Sequence, residues 1–267
     1  AVYPGWHGIV VGNYDYVMPI CPAKKWGFAY LLQPVYSQQH GIFPPPTPEL
    51  RNSILHHILK KYKYIDINLN AMNLMPTELQ AHTEWKPNHL LNLHDAYASI
   101  QGRYSSHCKR HLRKARKQLE VVNDLTVDDF MKLKTAQSGR AFTPKHRDAL
   151  LRIISKSKHQ GNGIIYGAYD LHNELCAAAF VLATPKRLVY LNGVSTAQGH
   201  TSGAMYALID QLIADHAQLP LLLDFEGSAV PGIARFFEGF GAQPERYPHI
   251  HINPIPTLLK FWKRWKH

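Results

Sequence analysis

The sequence predicts a mixed α/β (α+β) protein of two tandem units, each a mixed, mostly antiparallel twisted sheet flanked by helices. Two observations carry this. Short apolar runs with period-two alternation are interleaved with amphipathic, well-capped helical segments along the 267 residues. In addition, one strand–helix–strand order occurs twice, at a spacing of about 160 residues.

The elements follow from local chemistry. Residues 7–20, HGIVVGNYDYVMPI, read as two strands joined at Gly12-Asn13. FAYLLQPVYSQQHGIF is a strand ending in polar residues, and FPPPTP is a stiff connection. Thr47 caps a helix with Pro48 in its first turn, and Leu50, Ile54, Ile58 and Tyr62 form its apolar stripe. YIDINLNA alternates as a half-buried strand does, and PNHLLNLHDAY gives a further strand. In YSSHCKRHLRKARKQLE, residues Tyr104, Cys108, Leu112, Ala115 and Leu119 share one helical face, while the other positions are rich in cations. Thr126–Asp129 and Thr143-Pro144 open two more helices. Residues 163–195 form an antiparallel meander with turns at His172-Asn173 and Pro185-Lys186. SGAMYALIDQLIADHA is an amphipathic helix with Met205, Leu208, Ile209, Leu212 and Ile213 inward. A strand over 221–226, a helix near 230–238 stopped by Gly239, a strand PHIHINP and a basic aromatic tail helix, LLKFWKRWKH, complete the chain.

In the repeat, YLLQPVYSQQ, a helix and YIDINLNA correspond to YLNGVSTAQG, a helix and LLLDFEGS. Tyr30 matches Tyr190, Val35 matches Val194, Gln38 matches Gln198 and Asp66 matches Asp224. The expected units are 1–100, degenerate, and 101–267, which carries the basic linker helix, the stretch 198–204 and the basic aromatic tail.

Thirty Lys and Arg against nineteen Asp and Glu give a net charge of +11, which favours an anionic partner. The expected partner is an anionic nucleotide-bearing small molecule. The basic helix and tail add nucleic acid and peripheral contact with an anionic membrane surface, for a monomer or weak dimer. Cys21, Cys108 and Cys176 lie far apart without a CxxC, as reduced thiols of a cytoplasmic protein do. No apolar run reaches transmembrane length, and the amino end carries no signal-peptide pattern. His249 and His251 share a strand face without a third ligand nearby, so no metal is expected.

LLLDFEGSAVPGIARFFEGFGA places Asp224 and Glu226 at the end of a buried run. On a strand they share a face, and either they tie down the Gly227-Ser228 turn or they face a site. A carboxylate there can deprotonate an amine, which has no lone pair as ammonium. The stretch Gln198, Gly199, His200, Thr201, Ser202, Gly203 and Ala204 precedes a helix, where free N–H groups form a phosphate cradle.

That stretch resembles the pyrophosphate loop Q/R-x-x-G-x-G/A of GNAT acyltransferases through Gln198 and Gly203, with Thr201 in place of the first glycine. The element order is also that of a GNAT domain. Two such units joined by SSHCKRHLRKARK, which matches the family's linker helix through Ser106, Arg110, Arg113, Lys114, Ala115 and Lys117, resemble the Fem-type peptidyltransferases. LDFEGS…ARFFEGFGA is similar to a further family motif. The resemblance implies N-acyl or aminoacyl transfer to an amine, with acyl-CoA or aminoacyl-tRNA as donor and no metal. It implies Glu226 and Asp224 as catalytic carboxylates, backbone N–H groups over Leu188 to Val194 on the acyl carbonyl, and residues 198–204 on the donor phosphates. Arg110, Arg113, Lys114, Arg235 and Phe237 would contact substrate. Phe237 stands where GNAT enzymes carry a proton-donating tyrosine, so Tyr190, Ser195, His200 and Tyr206 are candidate donors. A non-catalytic GNAT-fold protein binding an anionic nucleotide-like ligand is the alternative.

Overall fold

The computed structural model describes residues 3–25, 27–227 and 229–253. In chain order the elements are β1 His7–Val11, β2 Tyr16–Ile20, β3 Pro22–Lys25, β4 Phe28–Leu32, α1 Pro48–Lys61, β5 Tyr64–Asn68 and β6 Thr83–Asn92. Then come α2 Tyr97–Gly102, α3 Ser106–Ala115, β7 Leu119–Val122, α4 Val127–Gln137, α5 Pro144–His159, β8 Gly163–Asp170, β9 Leu175–Ala183 and β10 Arg187–Ser195. Last are α6 Ala197–Ser202, α7 Ala204–His216, β11 Leu222–Asp224, α8 Pro231–Glu238 and β12 Gln243–Ile252.

The chain divides into two compact units: Tyr3–Lys86 with the stretch from Arg246, and Pro87–Glu245. Residue 100 is therefore not where the division falls. The chain changes unit inside β6 and again inside β12, because residues 249–252 of β12 pair with residues 65–68 of β5. The basic aromatic tail predicted at LLKFWKRWKH lies outside the described residues.

In the smaller unit the strand order is β3-β4-β5-β12, and β1 and β2 form an antiparallel hairpin. Helix α1 connects β4 to the parallel, adjacent β5 and buries Ile54, Leu55 and Ile58 in a core with Leu31, Ile42, Ile65 and Ile67. In the larger unit the order is β6-β11-β10-β9-β8-β7. Here α6 and α7 connect β10 to the parallel, adjacent β11. One face of this sheet carries Ala177, Ala179 and Val181 of β9 against Leu112 of α3 and Leu208, Leu212 and Ile213 of α7. On the other side α4 packs against β8, β9 and β10, and α5 against β8 and α4.

Both units thus contain a parallel strand–helix–strand connection. Its register is not the one the letters suggest. Asp66 lies opposite Leu32, and Asp224 lies opposite Val189, so Tyr30 corresponds by register to Arg187 rather than to Tyr190.

The predicted caps hold. Thr47, Thr126 and Thr143 each accept a hydrogen bond from the N–H three residues on, at 3.4, 3.1 and 3.4 Å. β3, α2, β7 and α6 are short elements with no periodicity to announce them.

Candidate functional site

The site is built where two parallel strands part. β10 pairs with β11 only from Arg187 to Val189, and the last pair is Val189 with Asp224. β10 continues for six residues to Ser195, held by β9 alone. The register of β10 against β9 shifts between Tyr190 and Asn192, a bulge that adds one residue. Beyond it, the Thr196 N–H donates to the Cys176 carbonyl at 2.9 Å, so Thr196, Val194 and Asn192 are turned toward β9. The N–H and carbonyl of Gly193, and those of Ser195, therefore face the edge that β11 has left open.

The bulge also sorts the side chains. Tyr190, Gly193 and Ser195 pair with Val181, Ala179 and Ala177, on the α3/α7 face. Asn192 and Val194 pair with Phe180 and Ala178, on the α4/α5 face. Val194 is buried and its backbone is turned toward β9, so it does not border the opening.

Tyr190 donates its hydroxyl to Met205 Sδ at 3.4 Å, and burial raises its pKa, which keeps it protonated. Its ring lies 5.9 Å from Phe237, which stacks on Phe225 at 4.2 Å. The phenylalanine at the expected tyrosine position is thus a core residue, and the hydroxyl beside it belongs to Tyr190. Ser195 Oγ lies 3.4 Å from the Cys176 carbonyl and 3.3 Å from the Thr196 carbonyl, so it donates to backbone oxygens.

Asp224 and Glu226 do not share a strand face, because β11 ends at Asp224 and Glu226 turns left-handed with φ 46°. Asp224 is buried and accepts from Arg187 Nη1 at 2.7 Å, Asn88 Nδ2 at 2.8 Å and the Glu226 N–H at 3.2 Å. It therefore ties down the turn. Glu226 stands at the point where β11 leaves β10. Desolvation first, and the Asp224 charge second, push its pKa up to about 8, near the range a general base needs.

The expected phosphate loop is mostly helical. Thr196 caps α6, its Oγ1 taking the Gly199 N–H at 2.9 Å. Gln198 donates to Asp170 at 2.6 Å, Thr201 donates to the Gln198 carbonyl at 2.8 Å, and Ser202 is buried. His200 is exposed, and Ala204 is in the core. Gly203 has φ 80° and joins α6 to α7. The first turn of α7 has no side-chain cap. A cavity of about 220 Å³ beside α6 is lined by Lys114, Gln118, Asp170, His172, Gln198 and Thr201 among others.

Of the proposed substrate contacts, Lys114 is committed to the Thr201 carbonyl at 2.7 Å, closing the end of α6. Arg110 reaches His107 Nδ1 at 3.1 Å, and Arg113 and Arg235 are exposed. Tyr206 stacks on His111 at 4.6 Å and meets Phe236 edge-on at 4.7 Å. Among the described residues no group of three or more His, Cys, Asp or Glu could hold a metal ion. His249 and His251 instead lie at 2.7 and 3.6 Å from the Asp66 carboxylate in the smaller unit.

Two residues at the opening carry no sequence signal. Lys134, in the last turn of α4, reaches the Gly193 carbonyl at 3.4 Å, and burial lowers its pKa. Asn192 Oδ1 is buried without a hydrogen-bond partner. In the sequence both read as ordinary polar positions, one on a helix and one in a strand.

No protein-family model and no curated protein matches this sequence. Solved structures do match. The fold is similar to that of FemX at TM-score 0.60 and 12% identity, covering 96% of this chain and 91% of that one. It is similar to the C-terminal domain of a putative lysylphosphatidylglycerol synthetase from Agrobacterium fabrum at TM-score 0.56 and 11% identity, covering 97% and 88%. A tandem GNAT protein from the clavulanic acid biosynthesis pathway matches at TM-score 0.50 and 11% identity, covering 94% and 85%. The chain has a Fem-type, GNAT-like fold. No helix among the described residues is long and apolar enough to cross a membrane.

Proposed function

We propose that the protein transfers an acyl or aminoacyl group from a thioester or aminoacyl ester to an amine. The observation that carries this reading is the opening of β10 from β11 past Val189 and Asp224, which leaves the Gly193 N–H on a bulged, unpaired edge. A carbonyl laid along that edge receives a backbone donor where charge develops on its oxygen. Glu226, at the point of parting, takes a proton from the attacking amine. The C–N bond forms, the C–S bond breaks and the electron pair leaves on sulfur, or on oxygen for an ester. Tyr190 protonates that leaving group in place of the tyrosine absent at Phe237.

The donor is acyl-CoA or an aminoacyl-tRNA, both of which present phosphates. The uncapped first turn of α7, with Arg110 and Arg113 of the neighbouring α3, suits that charge. The neutral capping of α6 by Thr196 and the Asp170 carboxylate on Gln198 argue against phosphate on α6 itself.

The test is calorimetry with coenzyme A and with charged tRNA, followed by release of free thiol from acetyl-CoA in the presence of amines. Binding of one donor with amine-dependent release supports transfer. Binding without release, in a protein whose Tyr190→Phe and Glu226→Gln variants bind equally well, would instead support the rival reading of a ligand-binding protein on this fold.

A further inference from the structure

Lys134 and Asn192 lie next to Gly193 on the α4/α5 side of β10, and each keeps a polar atom with little or no compensation among the described residues. Lys134 Nζ arrives from α4 and has one long contact with oxygen, the Gly193 carbonyl at 3.4 Å. Its other neighbour is the Phe142 ring, 5.7 Å from Nζ to the centroid. Among the described residues no carboxylate pairs with this half-buried ammonium, and desolvation lowers its pKa accordingly. Asn192 projects from the same α4/α5 face of β10, one residue before Gly193, and its Oδ1 is buried without a donor. A half-buried cation without an anion and a buried acceptor without a donor each cost free energy, and a ligand can offset both.

We infer that Lys134 and Asn192 form the subsite for the acceptor, and that the acceptor is an amino acid with a free carboxylate. Its carboxylate pairs with Lys134 Nζ, and its amine donates to Asn192 Oδ1. The amine is then held beside Gly193, whose N–H faces the carbonyl under attack. The inference rests on the transfer reading for the role of the amine. The binding site itself does not depend on that reading.

Nuclear magnetic resonance titration tests it with L-alanine, ethylamine and propionate as probes, without any acyl donor. L-Alanine should shift the Gly193 amide and the Asn192 side-chain resonances saturably, with affinity about tenfold or more above either partial probe. Lys134→Met should weaken L-alanine about tenfold or more while the thermal midpoint stays equal or rises, since a desolvated charge is removed. Asn192→Leu should leave propionate unchanged and abolish the advantage of L-alanine over it. Absence of saturable L-alanine binding, or equal binding in Lys134→Met, overturns the subsite. If binding follows the expected pattern but no transfer is found with any donor, the subsite stands and the transfer reading falls. If acetyl transfer runs equally well to ethylamine and L-alanine, the transfer reading stands and the subsite falls.

Discussion

Val189 and Asp224 are the last residues at which β10 and β11 face each other, and Asp224 is anchored there by Arg187 from the start of the same β10. The ion pair thus fixes the point where the sheet opens. Just beyond it stands Glu226.

Asp224→Ala should destabilise the protein by about 2–4 kcal/mol. A buried hydrogen bond from Asn88 and the ion pair with Arg187 are both lost. Denaturant unfolding measures this as a lower midpoint. An unchanged midpoint would mean that the turn is held by other contacts.

Glu226→Gln should stabilise the protein at alkaline pH. The folded pKa, about 8, lies above that of an unfolded glutamate, so the native state holds a proton that the unfolded state has lost. Wild-type stability contributed by this proton is complete below about pH 4.5 and is lost as pH rises through about 8. The variant lacks that dependence. Its midpoint should gain on wild type across this window by on the order of 1–3 kcal/mol, read by denaturant melts at pH 5 and pH 9. Transfer activity should rise in wild type with an inflection near pH 8, and fall by roughly two to four orders of magnitude in the variant.

Tyr190→Phe should leave the fold intact, because it removes one hydroxyl bonded only to sulfur. The rate should drop by roughly two to three orders of magnitude with thioester donors, and less with donors whose leaving group needs no proton. Gly193→Ala should disturb the same residue, since a Cβ at 193 meets the Tyr190 hydroxyl. In a double-mutant cycle Tyr190→Phe should therefore soften the cost of Gly193→Ala. Additive effects would show that the two do not touch.

Gly203→Ala and Gly203→Asp should both destabilise by about 1 kcal/mol or more. Both force a side chain into φ 80°, with a Cβ 3.4 Å from the His111 carbonyl. Any effect of charge on coenzyme A binding then appears as the difference between the two variants, measured by calorimetry. Equal affinity in both would move the donor phosphates away from α7.

Much of the fold was legible because its signals are local. Thr47, Thr126 and Thr143 cap helices through bonds spanning three residues, and Ile54, Ile58, Leu208 and Leu212 mark buried faces by periodicity alone. The two strand–helix–strand connections were legible for the same reason. Their register was not, since a strand pairs by hydrogen bonds that letters do not fix: Tyr190 matches Tyr30 in sequence and misses it by three positions in the sheet.

For the site, the sequence by itself determined that two carboxylates end an apolar run and that a polar stretch with Gly199 and Gly203 leads into a long helix. Only the tertiary structure decided their roles. Asp224 became an anchor because Arg187 and Asn88, distant in sequence, converge on it. Glu226 gained its raised pKa from burial, a property of the packed protein rather than of the residue. The stretch expected to cradle phosphate became a short helix because Thr196 caps it and α6 starts one residue later. Lys134 and Asn192 came together because α4 packs on β10 across 58 residues of chain, a separation over which no periodicity or motif reaches; the bulge that turns Asn192 away from Gly193 is likewise set by the pairing with β9.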